Sequence, residues 1–228
     1  KHREFFEQLK QTFINNGYFI TEQLINSLEF GVPQDRERII LIGVRHDVAR
    51  NLNLSVKGMY LQGFPWDSHK SYILDKIKEI NWPTITPYVP EEQIPAPDGI
   101  IEELTVQHWN INDTRNHPNA NMYFRPKAGL VRFQTTDEGD DKRKSYKRLH
   151  RWRYSPTVAY GNNEVHIHPY EPRRISVSEA LALQSLPREF IIPHNVTLTD
   201  AFKTIGNGVP FLAAQGIANS IYDYLNRE

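Results

Sequence analysis

Cysteine is absent from the 228 residues. That absence excludes a disulfide framework, a thiolate zinc site and a cysteine nucleophile within the chain, and it agrees with a reducing cytosol. Long apolar runs are also missing: Ile39 to Val44 and Phe211 to Ala214 fall far short of the roughly 20 residues that span a bilayer. Nothing resembles a signal peptide. Neither charge sign is in excess, since 27 Lys and Arg balance 27 Asp and Glu. A nucleic-acid partner would therefore be held by a local patch and not by the field of the whole chain. What is present, 39% hydrophobic and 24% charged residues, suits one large globular domain or two small ones. The first residue is Lys1 and not Met, which raises the expectation of a longer natural polypeptide.

Local patterning indicates an α/β chain. Phe5, Leu9 and Phe13 recur at four-residue spacing, predicting an amphipathic helix over residues 1–16 that Asn16-Gly17 terminates. Tyr18 to Leu28 reads as a strand or strand and turn. Arg38 to Val44 is a β-branched apolar run, expected as a strand buried on both faces of a parallel sheet. Residues 71–80 suit a helix. Residues 81–99 hold five prolines and are expected as loop or extended chain. From Ile100 to Glu164 no helical period is sustained, which suggests an irregular strand-and-loop domain. Order returns with Ser176 and Ser178 as caps of a helix reaching toward Pro187, a second helix just after Thr199, and a final amphipathic helix marked by Val209, Leu212, Ala213, Ile217, Ile221 and Leu225.

Several clusters have chemical content. Arg36 and Arg38 stand at i and i+2 entering a strand, so they are expected to point the same way. Paired guanidiniums suit a phosphate or a carbonyl oxygen that gains charge, or else a plain surface pair with Asp35 or Glu37. Lys142 to Arg153 places Lys142, Arg143, Lys144, Lys147, Arg148, Arg151 and Arg153 within twelve residues, with Tyr146 and Trp152 interleaved. That composition suits phosphate neutralisation and stacking, or a solvated loop balanced by Asp137, Glu138, Asp140 and Asp141. Gly206-Asn207-Gly208 before a helix is by itself a turn and cap. His166 and His168 have no third ligand at metal-binding spacing, and no metal site is expected.

Taken together, three blocks resemble DNA (cytosine-5) methyltransferases. Gly31-Val32-Pro33-Gln34-Asp35-Arg36-Glu37-Arg38 resembles that family's Gln-x-Arg-x-Arg motif. Ser155 to Gly161, Ile167-His168-Pro169 and Arg173 to Pro187 resemble its Pro-Thr stretch and its Arg/Glu-Ala/Gln-x-x-Pro motif, with Ile175, Ser176 and Leu186 in place of commoner Leu, Thr and Phe. Ile205 to Pro210 resembles its Gly-Asn-x-Val-Pro motif. The resemblance covers almost the whole chain. It implies that Arg36 and Arg38 contact a flipped cytosine, Arg38 foremost; that Asn207, Gly208 and Val209 contact S-adenosylmethionine; that Gln34 and Thr157 lie on the DNA side; and that Arg173, Glu179 and Gln184 are mainly structural. Residues 45–154, between the first two blocks, correspond to the family's variable target-recognition region, which brings the basic run into the set of expected DNA contacts.

The implied architecture is the C-terminal part of a Rossmann-like methyltransferase domain, residues 1–50 and 199–228, around a target-recognition domain at 51–198. The implied function is methyl transfer from S-adenosylmethionine to C5 of a flipped cytosine in a specific double-stranded DNA sequence, in a bacterial, cytoplasmic restriction-modification setting. Chemistry of this kind adds a cysteine thiolate to the base. The chain holds no cysteine and lacks the family's Pro-Cys, Glu-Asn-Val and Gly-rich cofactor motifs. It is accordingly expected to be inactive alone and to need an N-terminal methyltransferase half, a partner subunit or self-association. The alternative from another class is a non-enzymatic DNA-binding subunit or remnant.

Overall fold

The computed structural model describes residues 2–90, 93–111, 114–126, 129–143, 145–158, 160 and 164–226. In chain order it runs α1 (His2–Asn15), β1 (Tyr18–Asn26), β2 (Gln34–Asp35), β3 (Glu37–Arg45), α2 (His46–Asn51), β4 (Val56–Lys57), β5 (Tyr60–Leu61), α3 (Leu74–Glu79), α4 (Val106–Ile111), α5 (Leu130–Thr135), β6 (Ser155–Pro156), α6 (Val177–Leu183), α7 (Leu198–Asn207) and α8 (Phe211–Leu225). The chain divides into two compact units. One comprises Lys1–Ile25, Glu37–Lys70 and Gln215–Glu228; the other comprises Asn26–Arg36 and Ser71–Ala214.

The first unit is a four-stranded sheet in the order β3-β1-β5-β4. Strand β5 runs parallel to β1, with Ile20 opposite Tyr60, and β4 is antiparallel to β5. Helix α1 ends where Gly17 takes φ +84°, a left-handed value that L side chains avoid and that lets the chain turn into β1. Phe13 packs edge-on to Tyr18 at 5.7 Å and lies so close to Gly43 that a Cβ there would sit 2.9 Å from its ring. The expected core stripe of α1 is only partly used: Phe5 is 67% and Leu9 37% exposed, while Lys10 turns inward to Glu22 at 3.0 Å. Strand β3 departs from expectation in the same direction. It closes one edge of the described sheet, and Ile39 is 55% exposed, so a strand read as covered on both faces has its first half open to solvent. On the last helix, Tyr224 Oη donates to Gln62 O at 3.0 Å and Ser220 Oγ to Pro65 O at 2.9 Å.

The second unit is held by α6 and α7, whose Leu181, Leu183, Ala201, Phe202 and Ile205 join Val158, Tyr160, Val165 and Ile175 in one apolar cluster. Each such side chain removed from water stabilises the fold by about 1.5–3 kcal/mol. Ser176 caps α6 through a capping box with Glu179, whereas Ser178 donates instead to Thr114 O. Helix α7 starts at Leu198 on a Thr197 cap, slightly before the expected position. Residues 81–99 carry no helix, and a lone bridge joins Thr86 to Glu138. A two-stranded parallel ladder, β2 with β6, pairs Gln34 with Ser155 and Asp35 with Pro156.

Candidate active-site face and its basic surroundings

The β2–β6 ladder belongs to the second unit and brings the blocks around Gln34 and Thr157 side by side. Ser155 N–H donates to Pro33 O at 2.9 Å, and Thr157 Oγ1 donates to Asp35 O at 2.5 Å. Thr157 is exposed beside this ladder. The Asp35 carboxylate accepts from Asn26 Nδ2 at 2.7 Å and from Lys78 Nζ at 2.5 Å. Gln34 is fully buried and its Nε2 donates to Leu183 O at 3.3 Å.

Arg36 ties the third block to these two. Its guanidinium, 3% exposed, donates from Nη2 to Gly206 O at 2.9 Å and Gly208 O at 3.1 Å, and from Nη1 to Val158 O at 3.4 Å. One planar fork thereby fixes the end of α7 against the strand exit of β6, a use of geometry that lysine cannot reproduce. Gln184 assists from α6, where its Nε2 donates to Ile205 O at 3.0 Å. The result is a braced turn whose Asn207 side chain faces solvent and whose Val209 is 54% exposed.

The expectation that Arg36 and Arg38 share a direction is corrected. Residue 36 falls in a break between β2 and β3, so the two-residue alternation does not run through it. Arg36 turns inward within the second unit, while Arg38 is exposed in the first and donates to Glu37 O at 2.6 Å. Arg36 acts on main-chain carbonyls, and a direct base contact is not where its donors point.

The basic run also divides. Arg148, 1% exposed, donates to the carbonyls of Phe133, Thr136, His168, Pro169 and Glu171 and lies 4.0 Å over the Tyr88 ring. Burial pushes its guanidinium down to about 10. Arg151, equally buried, grips Glu138 with Nε at 2.9 Å and Nη2 at 3.0 Å. These two are corrected from expected phosphate contacts to internal braces, because a buried, saturated guanidinium has no face for DNA. Lys142 and Arg143 are exposed, Lys147 and Arg153 half-buried; Lys144 lies outside the described residues. Glu138 is the functional partner that sequence reading missed, having been counted among the balancing surface acids.

Two further buried groups secure α6. Arg173 meets Glu179 with two hydrogen bonds of 2.8 and 2.7 Å. Burial disfavours the charged Glu179 carboxyl, but the Arg173 bonds and the nearby His168 outweigh it and hold the group below the usual carboxylate range. Burial holds His166 and His168 neutral, at about 3 and about 4.

A mixed α/β chain with three family-specific segments braced together defines a class of methyltransferase by its fold. The profile described as C-5 cytosine-specific DNA methylase matches residues 1–223, and the chain belongs to that family. It is 58% identical over 226 residues to type II methyltransferase M.NmeDI of Neisseria meningitidis serogroup C, covering 99% of this chain and 51% of that protein. It is 26% identical to M.MthTI of Methanothermobacter thermautotrophicus, covering 96% and 61%. A solved prophage-encoded DNA modification methyltransferase of E. coli superposes with a TM-score of 0.57 at 23% identity, over 94% of this chain and 63% of that one. S. pombe Dnmt2 superposes with a TM-score of 0.51 at 12% identity, over 96% and 61%; these two likenesses concern the fold. The chain spans about half the length of its Neisseria relative. No helix among the described residues is long and apolar enough to cross a membrane.

Proposed function

We propose that the chain is the DNA-recognising, site-closing portion of a type II DNA cytosine-5 methyltransferase, acting on double-stranded DNA in a bacterial cytoplasmic restriction-modification setting. The observation that carries this reading is the Arg36 fork, which gathers the Gln34–Arg36, Ser155–Val158 and Ile205–Val209 segments into one structure. Residues 51–198 serve as the recognition domain between parts of the catalytic domain.

The roles of the chain's own residues follow from their placement. Asn207, Gly208 and Val209 hold the cofactor's amino-acid end: the turn is braced from beneath by Arg36, leaving the Asn207 side chain and Val209 open to a ligand. S-adenosylmethionine, when bound, supplies the methyl group that C5 accepts. Arg38, exposed and with donors to spend, is placed to engage the O2 side of an extruded cytosine, which must leave the stack before C5 and C6 are accessible. Thr157 and Gln34 position the DNA side of the ladder. Lys142, Arg143, Lys147 and Arg153 neutralise backbone phosphates; Lys144 completes that set by sequence.

The nucleophile comes from outside these residues, since they contain no cysteine. A thiolate adds to C6, the C5=C6 electron pair then takes the methyl group at C5, and loss of the C5 proton re-forms the double bond as the thiolate leaves. Exposed Phe5, Leu9, Leu24 and Ile39 support a covering segment from the remainder of the enzyme, or from a partner subunit or second copy, over the first unit. The test is transfer of labelled methyl groups into mixed-sequence duplex DNA. We expect none from the chain alone and cytosine methylation once it is combined with the part of the Neisseria relative that it does not cover. Methylation by the cysteine-free chain alone would overturn the thiolate mechanism.

A further inference from the structure

Beside the β2–β6 ladder lies a polar crevice of about 90 Å³, lined by Asp35, Asp141, His150, Arg153, Tyr154 and Pro156 among others. Its volume holds about three water molecules, the size of a base-pair edge and too small for a whole extruded nucleotide.

Arg153 differs from its buried neighbours in the basic run. Its guanidinium lies 5.3 Å from the centroid of the Tyr154 ring, while Lys78 flanks the same ring at 4.9 Å. Lys78 is already committed to Asp35. The Arg153 guanidinium has no hydrogen bond or ion pair among the described residues, and neither has the Asp141 carboxylate. An arginine held flat on an aromatic ring has lost much of its rotamer freedom while keeping its donors unspent. That preparation favours a two-point acceptor.

Two acceptor pairs on duplex DNA fit a fork: phosphate oxygens and the N7/O6 edge of guanine. The lining decides between them. Asp35 and Asp141 share the crevice, and carboxylates repel a phosphate. A G·C pair instead offers acceptors on guanine and an amino donor on cytosine, matching a crevice that presents both a guanidinium and carboxylates. We infer that the crevice is a base-reading subsite in which Arg153 takes the major-groove edge of a guanine next to the target cytosine, with Asp141 placed to accept from that guanine's paired cytosine. This rests on the chain contacting DNA as proposed above, and it names the chemistry of one recognition contact.

The test is selection of bound duplexes from a randomised library by the full chain, as wild type, Arg153→Gln and Arg153→Lys. Wild type enriches a sequence with a fixed G·C position. In Arg153→Gln the preference at that position falls roughly 5- to 150-fold, the range of one bidentate base contact, and the other positions keep theirs. Arg153→Lys keeps its salt dependence and loses discrimination. Replacing the selected guanine by 7-deazaguanine weakens the wild type and leaves Arg153→Gln unaffected. Three results would overturn the inference: no enriched sequence, unchanged preference in both variants, or uniform weakening in Arg153→Gln with a salt slope reduced by about one, the signature of a phosphate contact. Loss of methyl transfer with intact sequence preference would count against the proposed enzyme and not against this subsite.

Discussion

Consider Arg36→Met, which keeps the length of the side chain and removes the fork. Three carbonyls lose a charged donor, at Val158, Gly206 and Gly208. Hydrogen bonds from charged groups contribute about 1.5–3 kcal/mol each. The 3.4 Å contact to Val158 belongs at the weak end, and the glycine carbonyls are partly exposed, so water replaces some of what is lost. A destabilisation of about 3–5 kcal/mol follows, a large share of the roughly 5–15 kcal/mol that holds a domain together. For a chain of this size that lowers Tm by roughly 6–20 °C. Thermal unfolding by circular dichroism measures the loss, and amide exchange locates it: the Gly208 N–H, which donates to Thr204 O and Ile205 O, should exchange faster in the variant while amides of β1 do not. Arg36→Lys should fall between, because a point charge reaches one or two of the carbonyls. A Tm within about 2 °C of wild type, with Gly208 exchange unchanged, would refute the idea that this fork holds the motifs together.

Other outcomes follow from buried charge and close backbone approach. Glu138→Gln and Arg151→Met should each cost about 3–5 kcal/mol because each leaves its partner uncompensated, and the double variant should cost less than their sum in a urea double-mutant cycle. The folded-state values of His166 and His168, about 3 and about 4, lie below the ordinary 6.5. The unfolded chain therefore binds more protons below pH 6.5, and stability present above that pH declines by about 1.4 kcal/mol per unit for each histidine until the folded values are reached. Urea midpoints from pH 8 to 5 should bend near 6.5, and His166→Phe should reduce the slope. The depressed carboxyl of Glu179 gives the same sign lower down: its contribution is present above the ordinary carboxylate range and is lost as pH falls through and below it. Gly139→Ala should unfold the basic region first, since φ is +83° and a Cβ would sit 2.4 Å from Thr84 O; limited proteolysis near residue 140 reads this directly.

Elements with a clean period were legible in sequence. Helices α1, α6 and α8 and strands β1 and β3 lie where their apolar spacing or caps placed them, because local pattern and terminator agree there. What sequence did not show was which face each element covers. Ile39 to Val44 reads as an interior strand, yet an apolar run contains no record of whether its neighbours are present, and Ile39 stands open. The shared direction of Arg36 and Arg38 failed for a related reason: alternation holds inside a strand, and the strand is interrupted at residue 36. Within Lys142 to Arg153 the difficulty was greater. Irregular chain has no period to sort inward from outward side chains, so Arg148 and Arg151 read like Lys142 and Arg143 although the first two are interior.

The five carbonyls gathered by Arg148 come from three stretches: residues 133–136, 168–169 and 171. A single cation at their meeting point does what a zinc ion does in small loop-rich domains, setting loop ends at fixed distances without requiring the loops to share a hydrophobic pattern. Between those anchored ends the chain is released from the demands of packing. A scaffold of that kind can exchange the residues on its outer turns one at a time, and so change which DNA letters it meets, while the frame that presents them stays where it was.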